Sequence, residues 1–318
     1  MKIAPKFAVT LAALLAVTAA SAQNMPKQLR DRLVEIGPNY GQVDTPKMFA
    51  PLVAAAPKDG GKVTRDITYG THARHRLDVW QPSGKSNAPI IVYVHGGGYI
   101  SGTKEIYDNI PAYFQRHGML AINMEYRLAP EAPWPAGAQD VAAVVAWIKK
   151  NAAKYGGDPN RLYLMGHSAG ATHVATYVFD RRFQPRDGSG VTAVVLSSGR
   201  YNVTDEPDDP SFNSVRAYFG SDSKTYPSRS IINHVPSSRI GVMLTATEFD
   251  QQNLAATTGD MYKALCERDG GQCPRFVQTK YHNHISEMHH INSADDYLGQ
   301  EILEFLGMTD APPWPTAK

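Results

Sequence analysis

The chain has 318 residues, 32 of them Lys or Arg and 30 Asp or Glu, and its formal net charge of +2 is carried by Lys2 and Lys6, leaving the rest balanced. No run of Lys and Arg interleaved with aromatics occurs, which argues against nucleic-acid binding. The length accommodates one large α/β domain or two small ones, and no repeat or low-complexity tract divides it.

Residues 1–22 read as a signal peptide: residues 1–6 are basic, residues 7–17 apolar, and Ala20-Ser21-Ala22 is the small-residue pattern that a signal peptidase cuts after. An exported chain beginning at Gln23, periplasmic or secreted, is expected. A membrane anchor is the alternative, but the apolar run falls short of the roughly 20 residues that span a bilayer.

Residues 23–62 form a helical segment, with helices expected over 25–36 and 45–56, separated by Gly37-Pro38-Asn39. It is either a cap over a site or an N-terminal wrap. Strands over 63–69 and 76–80 then read as a hairpin. From there strands alternate with helices: strand 90–94, helix 105–117, strand 120–126, helix 138–155, strand 161–165, helix 170–179 and strand 191–196. After a long connection follow strand 241–247, helix 254–267, strand 275–281 and helix 295–306. In the fourth helix Val141, Val144, Val145 and Ile148 fall at helical spacing, and in the last Leu298, Ile302 and Phe305 point inward. Such alternation predicts an α/β fold with a mostly parallel central sheet and helices on both faces. Ligands bind such sheets outside the carboxyl ends of the strands.

The connection over 199–239 is rich in Pro, Asp and Ser, and reads as a lid or pocket wall. Its acidic run, Asp205-Glu206-Pro207-Asp208-Asp209-Pro210, reads as a solvated turn rather than a metal site. Cys266 and Cys273 bracket a turn-rich stretch, and export would carry both into an oxidising compartment, so a disulfide is expected over two buried thiols.

Chemistry concentrates at the strand ends. The strand over 161–165 runs into Gly166-His167-Ser168-Ala169-Gly170, and a small-residue helix leaves it, which puts Ser168 at the apex of a strained strand-to-helix turn. Gly-x-Ser-x-Gly by itself is also an ordinary glycine and serine turn. The strand over 90–94, however, ends in His95-Gly96-Gly97-Gly98, the loop type that supplies oxyanion-hole N–H groups in lipase and esterase folds. Gly97, Gly98 and Ala169 are therefore the expected oxyanion donors. A serine hydroxyl needs a general base and a group to orient that base, in the chain order serine, acid, histidine.

Glu248 and Asp250 follow the strand over 241–247; Asp250, at the start of a polar turn, is the expected acid. His282, His284, His289 and His290 follow the strand over 275–281. His284 is the expected base, because it lies far enough past the strand to turn back towards Ser168. A histidine metal cluster is the competing reading, although the further Asp-His of the common H-x-H-x-D-H pattern is missing. Tyr99, Trp134 and Tyr201 are expected to line the substrate pocket.

Several motifs together identify a family. They are His95 to Gly98 with Tyr99, Gly102 and Lys104, then Tyr126-Arg127-Leu128-Ala129-Pro130-Glu131 with Pro135-Ala136, and then Gly157-Asp158-Pro159 before the Ser168 turn. They resemble the hormone-sensitive-lipase-like carboxylesterases of the α/β-hydrolase superfamily. Tyr69-Gly70 and Leu77-Asp78-Val79-Trp80 are more similar to the bacterial feruloyl-esterase and arylformamidase branch.

The resemblance implies an α/β-hydrolase catalytic domain over 63–310, followed by a tail over 311–318. It also implies a serine hydrolase that cleaves short-acyl or aryl esters without metal or cofactor, with Gly97, Gly98 and Ala169 as oxyanion donors. The chain departs from the family's usual Asp-Pro-Leu at the acid, having Asp250-Gln251-Gln252, and from Gly-Phe after the histidine, having Ile285-Ser286. An amide or formamide hydrolase with the same triad, and a hydrolase-fold binding protein without catalysis, are the alternatives.

Overall fold

Side chains alternate across the strands, and this alternation builds two apolar faces. The computed structural model describes residues 24–39, 44–58 and 60–309, so the expected leader and the tail over 311–318 lie outside the described residues. Eight strands form one sheet: β1 (Lys62–Thr68), β2 (Arg76–Gln81), β3 (Ala88–Val94), β4 (Leu120–Met124), β5 (Gly157–His167), β6 (Ala193–Ser197), β7 (Gly241–Phe249) and β8 (Arg275–Asn283). Their order is β1-β2-β4-β3-β5-β6-β7-β8. The β1/β2 and β2/β4 pairs are antiparallel and the others parallel.

The central strands β3, β4 and β6 are buried along their whole length. Ile90, Val92, Val94, Leu164, Val194, Leu196 and Leu244 face one layer of helices. That layer contains α4 (Ala136–Asn151), α5 (Ala169–Phe179) and α8 (Gln252–Arg268). Ile91, Tyr93, Met165, Val195 and Met243 face the other layer, made by α3 (Asn109–Arg116) and α10 (Tyr297–Phe305). Each fully buried aliphatic side chain on these faces contributes about 1.5–3 kcal/mol. Helix α5 is buried at every position, so its small residues serve close packing against the sheet.

The helix expected over 105–117 divides into a 3-10 turn, Lys104–Tyr107, and α3. Pro111 is the reason: it has no N–H for a bond four residues back, so it is tolerated only in a first turn. Strand β8 continues two residues past the expected end at 281. The register shifts between Thr247 and Phe249, Tyr281 takes a positive φ of 63°, and Phe249 pairs with Asn283 beyond this bulge. Cys266 and Cys273 are joined as a disulfide.

Helices α1 (Lys27–Ile36) and α2 (Thr45–Ala54) share a small core of Leu33 and Phe49 with Tyr281. They pack at the end of β8, where Phe49 also stacks on His282. The stretch over 199–239 is folded, with α6 (Phe212–Phe219), α7 (Tyr226–Arg229) and three 3-10 turns. Its acidic run is exposed from Asp205 to Asp208, but Asp209 is ion-paired to the nearly buried Arg200, which corrects the expectation of a wholly solvated turn.

Candidate active site

All three expected triad residues sit at carboxyl ends of parallel strands: Ser168 after β5, Asp250 after β7 and His284 after β8. Ser168 has φ 55° and ψ −122°, a conformation that L-residues rarely adopt. Backbone contacts hold it there. Its N–H donates to the Ser197 carbonyl at 2.9 Å and its carbonyl accepts from Thr172 N–H at 3.2 Å.

Glycines make the turn possible. A Cβ on Gly170 would lie 2.0 Å from the Val94 carbonyl oxygen, and one on Gly166 would lie 2.5 Å from the Gly170 oxygen. On the facing loop a Cβ on Gly96 would meet the Ser168 Cβ at 3.1 Å, so the His95 to Gly98 loop lies directly against the serine. Gly97 has φ 136° and Gly98 φ 57°. Ala169 opens α5, and its N–H is one of the four that a helix leaves without an internal partner.

His95 props this loop rather than reacting. Its ring stacks on Tyr126 at 4.4 Å, Nδ1 bonds the Gly96 carbonyl at 2.7 Å, and complete burial pulls its pKa down to about 4. Tyr126 donates its hydroxyl proton to the His95 carbonyl at 3.0 Å.

On the other side of the site His284 Nδ1–H donates to Asp250 Oδ1 at 3.0 Å, and both side chains are nearly buried. Asp250 Oδ1 also accepts from Gln251 N–H at 2.9 Å. This arrangement turns the other ring nitrogen, Nε2, away from the carboxylate. Glu248 remains on β7, where its carboxylate accepts the Tyr281 N–H at 2.8 Å.

The other histidines are engaged elsewhere. His282 bonds Ser286 Oγ at 3.0 Å and Asp295 Oδ2 at 3.1 Å. His290 bonds the Ser286 carbonyl at 3.1 Å, and His289 stacks on Tyr107 at 5.1 Å. Burial lowers their pKa values to about 3, about 3 and about 4. Among the described residues no group of three or more His, Cys, Asp or Glu is placed to hold a metal ion.

Two site residues escaped the sequence reading. His167, the residue before the serine, donates from Nε2 to the His284 carbonyl at 2.9 Å, with the two rings 4.5 Å apart. It thereby ties the serine turn to the histidine loop. Burial drives its pKa well below the ordinary histidine value, with the nearby His284 adding to the effect. Glu287, three residues past His284, is fully buried and accepts hydrogen bonds from Ser198 and Thr245. The available signal was a lone acid in Ile285-Ser286-Glu287-Met288-His289.

Of the expected pocket residues, Tyr99 joins Ala169, Val215, Tyr218 and Phe219 in one buried cluster, with Trp134 packed against it. Tyr99 stacks on Tyr218 at 4.6 Å and 5°, and its hydroxyl meets Thr172 Oγ1 at 3.2 Å. Tyr201 is fully buried and belongs to the main core cluster, and its N–H donates to Thr257 Oγ1 on α8 at 3.4 Å. Arg200 donates to Asp209 at 2.6 Å, and Asp209 accepts from Asn253 at 2.7 Å, joining the 199–239 stretch to the first turn of α8.

The strand order, the strained serine turn and the acid–histidine pair on the last two strands define an α/β-hydrolase. An esterase from the archaeon Pyrobaculum calidifontis superposes with a TM-score of 0.70, covering 89% of this chain and 98% of that one at 24% identity, which establishes the shared fold. The chain belongs to the BD-FAE family, whose model matches residues 77–239.

Two relatives from Mycobacterium tuberculosis are similar over shorter stretches. Carboxylesterase NlhH is 41% identical over 92 residues, 29% of this chain and 29% of that protein. Esterase LipQ is 33% identical over 151 residues, 45% of this chain and 36% of that protein. The chain thus spans about a third of the length of these curated relatives. The resemblance carried by the His95 and Ser168 motifs is borne out in these matches.

Proposed function

We propose that this chain is an exported serine carboxylesterase that cleaves short-acyl or aryl carboxylic esters through an acyl-enzyme on Ser168. The observation that carries the reading is the join made by His167, which fastens the backbone of His284 to the residue preceding the serine while Asp250 holds the His284 ring.

His284 Nε2 takes the Ser168 proton as Oγ attacks the ester carbonyl, and the imidazolium that forms is balanced by Asp250. The N–H groups of Gly97, Gly98 and Ala169 receive the developing oxyanion. Collapse expels the alcohol, which takes the proton from His284. Water then attacks the acyl-enzyme by the same route and releases the acid. The Tyr99–Tyr218 stack beside Ala169 supports an apolar or aromatic group in the pocket. Export is supported by the basic, apolar and small-residue order of residues 1–22 and by the Cys266–Cys273 bridge. Among the described residues no helix is long and apolar enough to cross a membrane.

The test is hydrolysis of aryl esters of graded acyl length, with aryl formamides assayed beside them. Ser168→Ala should fold and lose on the order of 10⁴ or more in rate. A folded Ser168→Ala protein with near wild-type turnover would overturn the assignment, and faster cleavage of formamides than of esters would change the substrate class.

A further inference from the structure

Beneath the Asp250–His284 pair lies a carboxyl with no part in the chemistry described so far. Glu287 sits in α9 (Ser286–His289) with no solvent exposure. Thr245 Oγ1 on β7 donates to its Oε1 at 2.6 Å, and Ser198 Oγ, just past β6, donates to Oε2 at 2.8 Å. His167 Nε2, at the end of β5, is 3.7 Å from Oε2. Asp250, His284, His167, Tyr93 on β3 and Tyr201 past β6 are the titratable groups that face it. An apolar side chain of the same volume would fill this space at no desolvation cost, whereas a buried carboxyl is costly unless it is hydrogen-bonded.

We propose that Glu287 is a positioning residue for the base: a second carboxyl, held by Ser198 and Thr245, whose negative charge supports the His284 imidazolium from below. The proposal rests on the reading of His284 as the base. Burial, with Asp250 nearby, pushes the Glu287 carboxyl up to about 7, so it changes charge in the neutral range. The positive form of His284 favours ionised Glu287. Oε2 lies 3.7 Å from His167 Nε2, the same atom that bonds the His284 carbonyl, so an ionised Glu287 places negative charge behind the loop that carries the base. Asp250 fixes the ring's direction, while Glu287 adds field.

Glu287→Gln keeps the size and the capacity to bond both hydroxyls but cannot ionise. It should move the acid limb of kcat/KM to lower pH by about 0.5 to 1 unit. It should also lower kcat roughly tenfold with KM little changed, a smaller loss than for a group that touches the reacting atoms. Thr245→Val removes one donor from the carboxylate and leaves Glu287 in place, so it should shift the limb in the same direction by less. Infrared difference spectra of Ser168→Ala should contain a protonated-carboxyl band that titrates near neutrality and is absent when Glu287→Gln is added.

A folded Glu287→Gln enzyme whose pH profile superposes on wild type would overturn the proposal. So would a lost rate with an unmoved acid limb, which marks a merely structural role. Should Glu287→Gln fail to fold, an unshifted Thr245→Val profile overturns it equally. Retained hydrolysis in Ser168→Ala would instead remove the functional reading on which the proposal rests, so the two failures are distinguishable.

Discussion

The two sides of the candidate site are held in different ways. On the Ser168 side the fixing is done by backbone: glycines at 96, 166 and 170 leave room only for hydrogen, and Ser168 is pinned through its own N–H and carbonyl. On the Asp250 and His284 side it is done by side chains, through the Asp250–His284, His167–His284 and Glu287 hydrogen bonds. The first kind of fixing responds to volume and is indifferent to pH. The second tolerates shape but responds to protons.

The largest expected effect separates the members of the second side. His284→Ala should cost on the order of 10³–10⁴ in kcat/KM, and Asp250→Asn a comparable amount, since Asp250 orients the ring. His282→Ala and Glu248→Gln, whose partners lie elsewhere, should change kcat/KM by less than about tenfold. Parallel kinetics on the four purified variants decide this, and a crippled Glu248→Gln beside an active Asp250→Asn would reverse the acid assignment.

The next effect is on the backbone side. Gly170→Ala should destabilise the fold by about 3 kcal/mol or more, because its Cβ would lie 2.0 Å from the Val94 carbonyl oxygen, an atom that cannot move without disturbing β3. Thermal denaturation should show a lowered Tm at every pH tested. A wild-type Tm would mean that β3 and α5 separate more easily than their packing implies.

The smallest effect per group is the response to acid. Burial lowers the pKa of His95 and His289 to about 4 and of His173, His282 and His290 to about 3. A histidine whose folded pKa is depressed contributes stability above its unfolded value of about 6.5, and that stability is lost as pH falls towards the folded value. Denaturant titrations should therefore show stability falling by several kcal/mol in total between about pH 6.5 and 4. Glu287 has the opposite sign: its folded pKa is raised to about 7, so its contribution is lost as pH rises from about 4.5 to 7. Replacing a buried histidine such as His173 by Gln should flatten the acid fall, and an unchanged slope would place the acid response outside these groups.

The same division explains what the chain disclosed before folding. Strand and helix order was legible because β3, β4 and β6 are mostly apolar and α4 has an apolar stripe. The serine turn was legible because steric demands on backbone are written as glycine, a residue type visible in the chain. The positions of Asp250 and His284 followed from the ends of β7 and β8, even though the bulge at Tyr281 moved one of those ends. Glu287 and His167 were not legible, because their meaning depends on hydroxyls and carbonyls from strands far apart in the chain.

The Arg200–Asp209–Asn253 chain has a mechanical consequence. Lifting Asp209 and the residues after it away from Arg200 and α8 would pull apart a pair of almost dry charges, and leaving such a charge uncompensated costs about 3–5 kcal/mol. Asp209 is therefore held on both sides, by Arg200 just past β6 and by Asn253 in the first turn of α8. Asn253 fastens it three residues past Asp250, so a disturbance of Asp209 passes straight to the turn that carries Asp250.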